Sequence, residues 1–141
     1  MKQLVCEDFS FTYPNCEKKA LDSISLEIER GDFVVVCGKS GCDKTTLLRH
    51  LKPDCAPAGK RSGKILFNGT DASEISHAVS ARAIGFVMQE PESQIVTDKV
   101  WHELAFGLEN LGLQSNEIRL RTAEMASYFG IDVWFNNYFS S

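Results

Sequence analysis

Residues 33–37, Phe-Val-Val-Val-Cys, form an unbroken apolar run rich in β-branched side chains. That is the pattern of a short strand buried on both faces. Before it, Ile24, Leu26 and Ile28 alternate with Ser25, Glu27 and Glu29, the mark of a half-buried strand, and Arg30-Gly31-Asp32 turns the chain into the buried run. Residues 4–13 also read as a strand, but Cys6 is out of step with Phe9, Phe11 and Tyr13, which predicts a bulge or bend. Residues 44–52 carry Leu47, Leu48 and Leu51 at helical spacing, and Pro53 stops the helix. Residues 52–63 hold two prolines, two glycines and three basic residues, so an exposed loop is expected. Residues 64–67 read as a short strand ending at Asn68-Gly69, residues 76–83 as a short helix, and residues 84–88 as a further apolar strand closed by Gln89-Glu90-Pro91.

The last third changes period. Val100, Leu104, Leu108 and Leu111 keep one face of a helix that starts at Thr97 or Asp98 and ends at Gly112. A second helix runs from Ser115 or Asn116 to Gly130, with Ile118, Leu120, Ala123, Met125, Ala126 and Phe129. Trp101 and Phe106 lie on the first helix and are assigned to core packing. An α/β part (1–96) is therefore followed by a helical part (97–141).

Composition narrows the classes. The 141 residues suit one domain, and the net charge of −4 gives no basic field, so nucleic acid is not an expected partner. No run approaches membrane-spanning length, and no signal-peptide apolar core opens the chain. The five cysteines make no Cys-x-x-Cys pair and are odd in number, which argues against a metal or disulfide framework and for a reducing compartment.

The chemistry concentrates in residues 38–46, Gly-Lys-Ser-Gly-Cys-Asp-Lys-Thr-Thr. Gly38, Lys44 and Thr45 fit a phosphate-binding loop, Gly-x4-Gly-Lys-[Ser/Thr], but Asp43 stands where the pattern has glycine. Glycines let backbone N–H groups wrap a polyphosphate at the positive end of a helix. Lys44 then has the role of reaching the terminal phosphates, Thr45 that of binding Mg²⁺, and Thr46 adds a hydroxyl near the first phosphate. The expected strand before the loop and helix after it are the context this motif requires. Asp43 adds a negative charge where phosphate sits, and its pairing with Lys44 is the expected consequence. Cys42, at the helix start, is a candidate reactive thiol.

Tyr13 lies 25 residues before Gly38, and Gln89 ends a predicted strand 45 residues after Lys44. From Gly85 the chain reads Gly-Phe-Val-Met-Gln-Glu-Pro-Glu-Ser-Gln-Ile-Val-Thr-Asp-Lys-Val-Trp. With the phosphate loop, this resembles the ATP-binding subunit of ABC transporters, and within them the energy-coupling-factor group that drives vitamin and metal-ion uptake. The resemblance implies an α/β P-loop NTPase fold of the ABC nucleotide-binding type, N-terminal part only, with an antiparallel β subdomain and the start of a helical subdomain. It implies ATP and Mg²⁺ as cofactors. Tyr13 would stack on adenine. Gly38, Lys39, Ser40, Gly41, Cys42, Asp43, Lys44, Thr45 and Thr46 would hold the phosphates. Thr45 and Gln89 would meet the metal, and Gln89 would also meet the attacking water. Gln94 falls where a transmembrane coupling subunit docks, around residues 89–101. A second ATPase subunit, identical or not, is the other implied partner, and the cytoplasmic face of the cell membrane the implied place.

The stretch ends about where the family's Leu-Ser-Gly-Gly-Gln signature begins, so the Walker B aspartate, the catalytic glutamate and the switch histidine are not in it. His50, His77 and His102 match no catalytic position. The expectation is an ATPase part that does not turn over alone. Two other readings stand beside it: a nucleotide-free, decayed module with a structural or interaction role, and another P-loop enzyme such as a small-molecule kinase.

Overall fold

The computed structural model of the chain describes residues 1–138. The last three residues of the expected helical part lie outside them. By contacts the chain divides into two units, Met1–Gly85 and Phe86–Ser141, earlier than the 96/97 division read from the sequence.

The first unit is built on an antiparallel sheet. Its strands are β1 (Lys2–Thr12), β2 (Leu21–Glu29), β3 (Lys60–Phe67) and β4 (Thr70–Asp71), in the order β2-β1-β3-β4. The expected bulge is present. Register shifts between Cys6 and Phe9 against β2, and between Glu7 and Ser10 against β3. Asp8 takes φ 48° at the break, and its N–H finds Ser25 Oγ at 3.1 Å. The extra residue lets Cys6, Phe9 and Phe11 all turn inward, where they join Leu21, Leu47, Ile65 and Ala72 in one core. Gly63 completes the device. It sits opposite the bulge at φ 77°, and a Cβ there would run into the Glu7 and Asp8 carbonyl oxygens. Asn68 and Gly69, at φ 50° and 82°, make the tight turn into β4.

Three expectations are corrected. Residues 60–63 are not loop: Lys60, Arg61 and Ser62 pair with Thr12, Phe11 and Ser10 of β1. Turn-forming composition gave the wrong reading because the glycine is demanded by the bulge opposite, not by a turn. Residues 33–37 and 84–88 form no ladder. Phe33 is 92% exposed, Val35 66% and Val87 76%. A strand buried on both faces needs neighbours that accept its N–H and C=O groups, and no described strand supplies them.

Helix α1 (Lys44–Leu51) follows the glycine-rich loop and stops before Pro53, as expected. It packs on the sheet through Leu47 and His50. Helix α2 (His77–Ala83) is capped by Ser76. Asp54 holds it down, taking hydrogen bonds from Ser80 Oγ and His77 Nδ1, while Lys52 Nζ donates to the Ser80 and Ile84 carbonyls at 3.2 and 2.7 Å.

The second unit is helical, with α3 (Val100–Asn110) and α4 (Ser115–Tyr128). Both end in the same way. Gly112 takes φ 70° and Leu113 N–H bonds the Leu108 carbonyl at 3.3 Å; Gly130 takes φ 65° and Ile131 N–H bonds the Ala126 carbonyl at 2.9 Å. Each is a Schellman cap, the reason glycine stands one residue past the C-caps Leu111 and Phe129. Helix α3 starts after Lys99 rather than at Thr97 or Asp98. Glu103 explains the shift, since its carboxylate reaches back to the N–H groups of Val96 and Thr97 and to the Thr97 hydroxyl at 2.9–3.1 Å. Trp101 stacks on Phe135 with ring centroids 6.5 Å apart. Phe106, expected in the core, is 41% exposed. No helix among the described residues is long and apolar enough to cross a membrane.

Candidate functional site

The segment between residues 38 and 46 closes on itself. Lys44 bends back so that Nζ donates to the carbonyls of Gly38 and Lys39 at 2.9 and 2.8 Å and lies 3.5 Å from Cys42 Sγ. Gly38 suits this curl, because a Cβ there would sit 2.6 Å from Cys42 Sγ and the exposed cysteine would have to turn away. Gly41 and Asp43 both adopt left-handed backbone, at φ 78° and 62°. Asp43 is the N-cap of α1 but makes no side-chain cap. An aspartate cap normally sits in the β region, from which its carboxylate reaches the second or third helical N–H. The left-handed backbone turns it elsewhere. The amides of Lys44, Thr45 and Thr46 therefore keep their donors free, at the end of the helix where the dipole is positive. Three free donors with an ammonium beside them form a cradle for a phosphate chain, and these residues fit that group.

The carboxylate of Asp43 does not pair with Lys44, which corrects the sequence-based expectation. It accepts from Thr46 Oγ1 at 3.1 Å. Because the Thr46 proton is spent there, Tyr13 is the donor in the 2.8 Å contact between its hydroxyl and Thr46 Oγ1. The result is a chain of hydrogen bonds from Tyr13 through buried Thr46 to Asp43. The Thr46 hydroxyl thus faces the fold, whereas the Thr45 side chain is on the exposed side of the helix. Tyr13 is half-buried just beyond the end of β1, edge-on to Phe11 at 4.8 Å.

Gly38, Lys39, Ser40, Gly41 and Cys42 are all exposed, and Asp43 and Lys44 half-exposed. Cys42 is a free, accessible thiol; Cys6 is its opposite, buried and with its pKa pushed up to about 11 by desolvation. Gln89, in the second unit, is exposed. Its neighbour Gln94 is not idle. The Gln94 amide accepts from Met88 N–H at 2.7 Å and donates to the Phe86 carbonyl at 3.1 Å, standing in for a strand partner along residues 86–88.

Sequence reasoning missed Thr46 as an inward link and Gln94 as a clasp. The first had a signal, an acid and a hydroxyl three residues apart across a helix start. The second had none, since a side-chain amide bonding backbone at a distance of six to eight residues leaves no periodic trace.

A family model described as "ABC transporter" matches residues 21–133. The chain belongs to the ABC transporter family. Among relatives, a putative ABC transporter ATP-binding protein of Bacillus cereus is 46% identical over 123 residues, covering 87% of this chain and 22% of that protein. The energy-coupling factor transporter ATP-binding protein EcfA1 of Symbiobacterium thermophilum is 38% identical over 136 residues, covering 91% of this chain and 46% of that one. The solved structure of CbiO1 from Clostridium perfringens, part of the ABC transporter complex CbiONQ, superposes with a TM-score of 0.79 at 27% identity, over 97% of this chain and 54% of that one. The chain thus spans about half the length of its EcfA1 and CbiO1 relatives and less of the Bacillus one. Its fold is that of the N-terminal region of an ABC-type P-loop ATPase domain, antiparallel sheet and helices included. Family membership excludes the kinase reading and gives the decayed-module reading no support.

Proposed function

We propose that this ABC-family chain is the phosphate-holding part of an ATP-binding subunit in an energy-coupling-factor importer. The observation that carries it is the uncapped first turn of α1: free amides at residues 44–46 beside the Lys44 ammonium, in a loop closed by Gly38. Backbone donors at a helix start bind polyphosphate without further groups. The EcfA1 relatives and CbiO1 support the importer assignment.

On this reading Gly38–Cys42 wrap the phosphates and Lys44 exchanges its own-loop carbonyls for phosphate oxygens. Asp43 lies in that wrap and adds its charge to it. Thr45 offers its exposed hydroxyl to Mg²⁺, Gln89 offers its exposed amide to the metal and the attacking water, and Tyr13 offers its ring to adenine. Mg²⁺, when bound, supplies the charge that offsets the phosphates. The partners are a second ATPase subunit and a transmembrane coupling subunit docking near residues 89–101, at the cytoplasmic face of the membrane. The coupled work is uptake of a small molecule or ion.

Titration of a fluorescent ATP analogue with Mg²⁺ tests the reading. The chain is expected to bind it, and Lys44→Ala to weaken binding about tenfold or more, because an ammonium–phosphate contact is worth a charge-assisted hydrogen bond. Equal affinity for both forms would remove the phosphate-loop assignment.

A further inference from the structure

Behind α1, within the Met1–Gly85 unit, lies a cavity of about 450 Å³ with no residue of the phosphate loop in its walls. This size is in the range of small-molecule sites. Its apolar lining includes Pro53, Ala56 and Ile75, all half-buried and so still open to a ligand. Its charged lining is Asp54, Arg61, Lys64 and Asp71.

Strand β3 brings the two cations together. Arg61 and Lys64 are three residues apart, a spacing that points to opposite faces of a regular strand. Gly63, at φ 77°, breaks the alternation between them, and both side chains line the cavity. Both are exposed, and neither makes an ion pair or a side-chain hydrogen bond among the described residues.

The two carboxylates differ. Asp54 is saturated: Oδ1 accepts from His77, Oδ2 accepts from Ser80, and Lys52 Nζ stands 3.6 Å away. Asp71 is not. Its Oδ1 takes both the N–H and the hydroxyl of Ser73, at 2.9 and 2.6 Å, which leaves Oδ2 without a partner among the described residues and accessible to solvent. Asp71 pairs with Leu66 across the β3–β4 ladder, so Lys64 is its diagonal neighbour. The Asp71 carboxyl is held below its ordinary range by the Ser73 bonds first and by the Lys64 charge last, so it is ionised at neutral pH. The open groups are therefore two cations and one carboxylate oxygen. A bare oxyanion would face Asp71 as like charge, and a bare amine would face Arg61 and Lys64. A ligand that carries both charges satisfies all three.

We propose that this cavity binds an α-amino acid with an apolar side chain. Its carboxylate meets Arg61 and Lys64, its ammonium meets Asp71 Oδ2, and its side chain lies against Pro53, Ala56 and Ile75. The guanidinium offers a carboxylate two parallel donors, and the ammonium of Lys64 adds a third. An α-amino acid sets its two charges on adjoining atoms, as the cavity sets its own on adjoining strands.

The test is a titration of the ¹⁵N-labelled chain near neutral pH, read from the backbone amides of β3 and β4. The probes are L-leucine, isocaproate, which lacks the ammonium, and isoamylamine, which lacks the carboxylate. Leucine is expected to bind about tenfold or more tighter than either, the worth of one charge-assisted hydrogen bond. Asp71→Asn keeps an oxygen for Ser73 and should bring leucine down to the level of isocaproate, with isocaproate no weaker. Arg61→Ala and Lys64→Ala, both surface changes, should each weaken leucine and isocaproate alike. Lys44→Ala, in the phosphate loop, should leave leucine binding unchanged. Isocaproate binding as tightly as leucine overturns the proposal, as does leucine affinity that survives Asp71→Asn. Loss of leucine binding in Lys44→Ala would assign the ligand to the loop instead. Amides of β3 and β4 that stay still up to the solubility limit of leucine also overturn it. Should a variant lose the native amide spectrum, the three probes on the unaltered chain decide alone.

Discussion

Asp43 shows how one dihedral redirects a charge. At φ 62° the residue accepts a conformation that glycine takes freely and aspartate at a cost of about 1 kcal/mol. That same conformation aims the carboxylate at Thr46 rather than at Lys44. The charge nevertheless stays in the loop, where a polyphosphate also brings negative charge. At about 4 Å and an effective dielectric near 20, each unit pair repels by about 4 kcal/mol, and relaxation and solvent cut this down. Asp43→Gly is therefore expected to tighten Mg-ATP binding by about 10- to 100-fold. Its effect on stability should stay within about 1 kcal/mol, since relief of the left-handed strain and loss of the Thr46 bond oppose each other. Calorimetric titration together with a thermal melt separates the two effects, and unchanged affinity would clear Asp43 of any part in weakening the loop. His50 carries a second prediction at this scale. Its folded pKa lies below the ordinary 6.5, so the unfolded chain takes up the proton first. Stability is fully present above about 6.5 and is lost as pH falls from there toward the folded pKa, at up to about 1.4 kcal/mol per pH unit for one proton. His50→Leu should flatten urea midpoints across that window, and an undiminished slope would place the titrating group elsewhere.

Elements were legible where local chemistry decides them. The phase slip between Cys6 and Phe9 announced the bulge, and Gly112 and Gly130 announced the two helix ends, because a left-handed cap has a residue-level signature. The phosphate loop was legible for the same reason. Its inward bonds were not, since the direction of Lys44 Nζ and of the Asp43 carboxylate follows from dihedrals that composition does not encode. Nor was β3 legible at its start: Gly63 looked like a turn residue, while its purpose lies across the ladder. This purpose is testable. Gly63→Ala sets a Cβ against the Glu7 and Asp8 carbonyls and forces an L-residue to φ 77°. A loss of roughly 2–3 kcal/mol is expected from the two effects together, read as a fall in urea midpoint at unchanged slope. A neutral result would mean that the bulge gives way. The pairing of Lys60 and Arg61 with β1 also implies slow tryptic cleavage there, although both are basic and exposed.

For the whole chain, the apolar runs 33–37 and 84–88 are the features that local structure leaves unresolved. Each has strand propensity and no ladder, and the first exposes Phe33, Val34, Val35 and Val36 by 40–92%. Burial-ready β segments with unpaired N–H and C=O groups are templates for pairing with other chains, and run 33–37 is the more open of the two, because Gln94 and Lys52 already bond part of run 84–88. Apolar surface of this kind also drives association on its own. The chain is therefore expected to self-associate, with an apparent mass by light scattering that climbs with concentration. A single charge within the run opposes this, because pairing with a second copy would bury the charge against its own like. Val35→Lys should lower the apparent mass toward the monomer, while Val5→Lys is unsuitable as a comparison because β1 is already paired on both sides. A better control is Glu27→Lys on the edge strand β2, which keeps a charge at an exposed position and should leave association unchanged. If Val35→Lys associates as the parent does, run 33–37 is not the sticky segment, and Val87→Lys becomes the test of the second run.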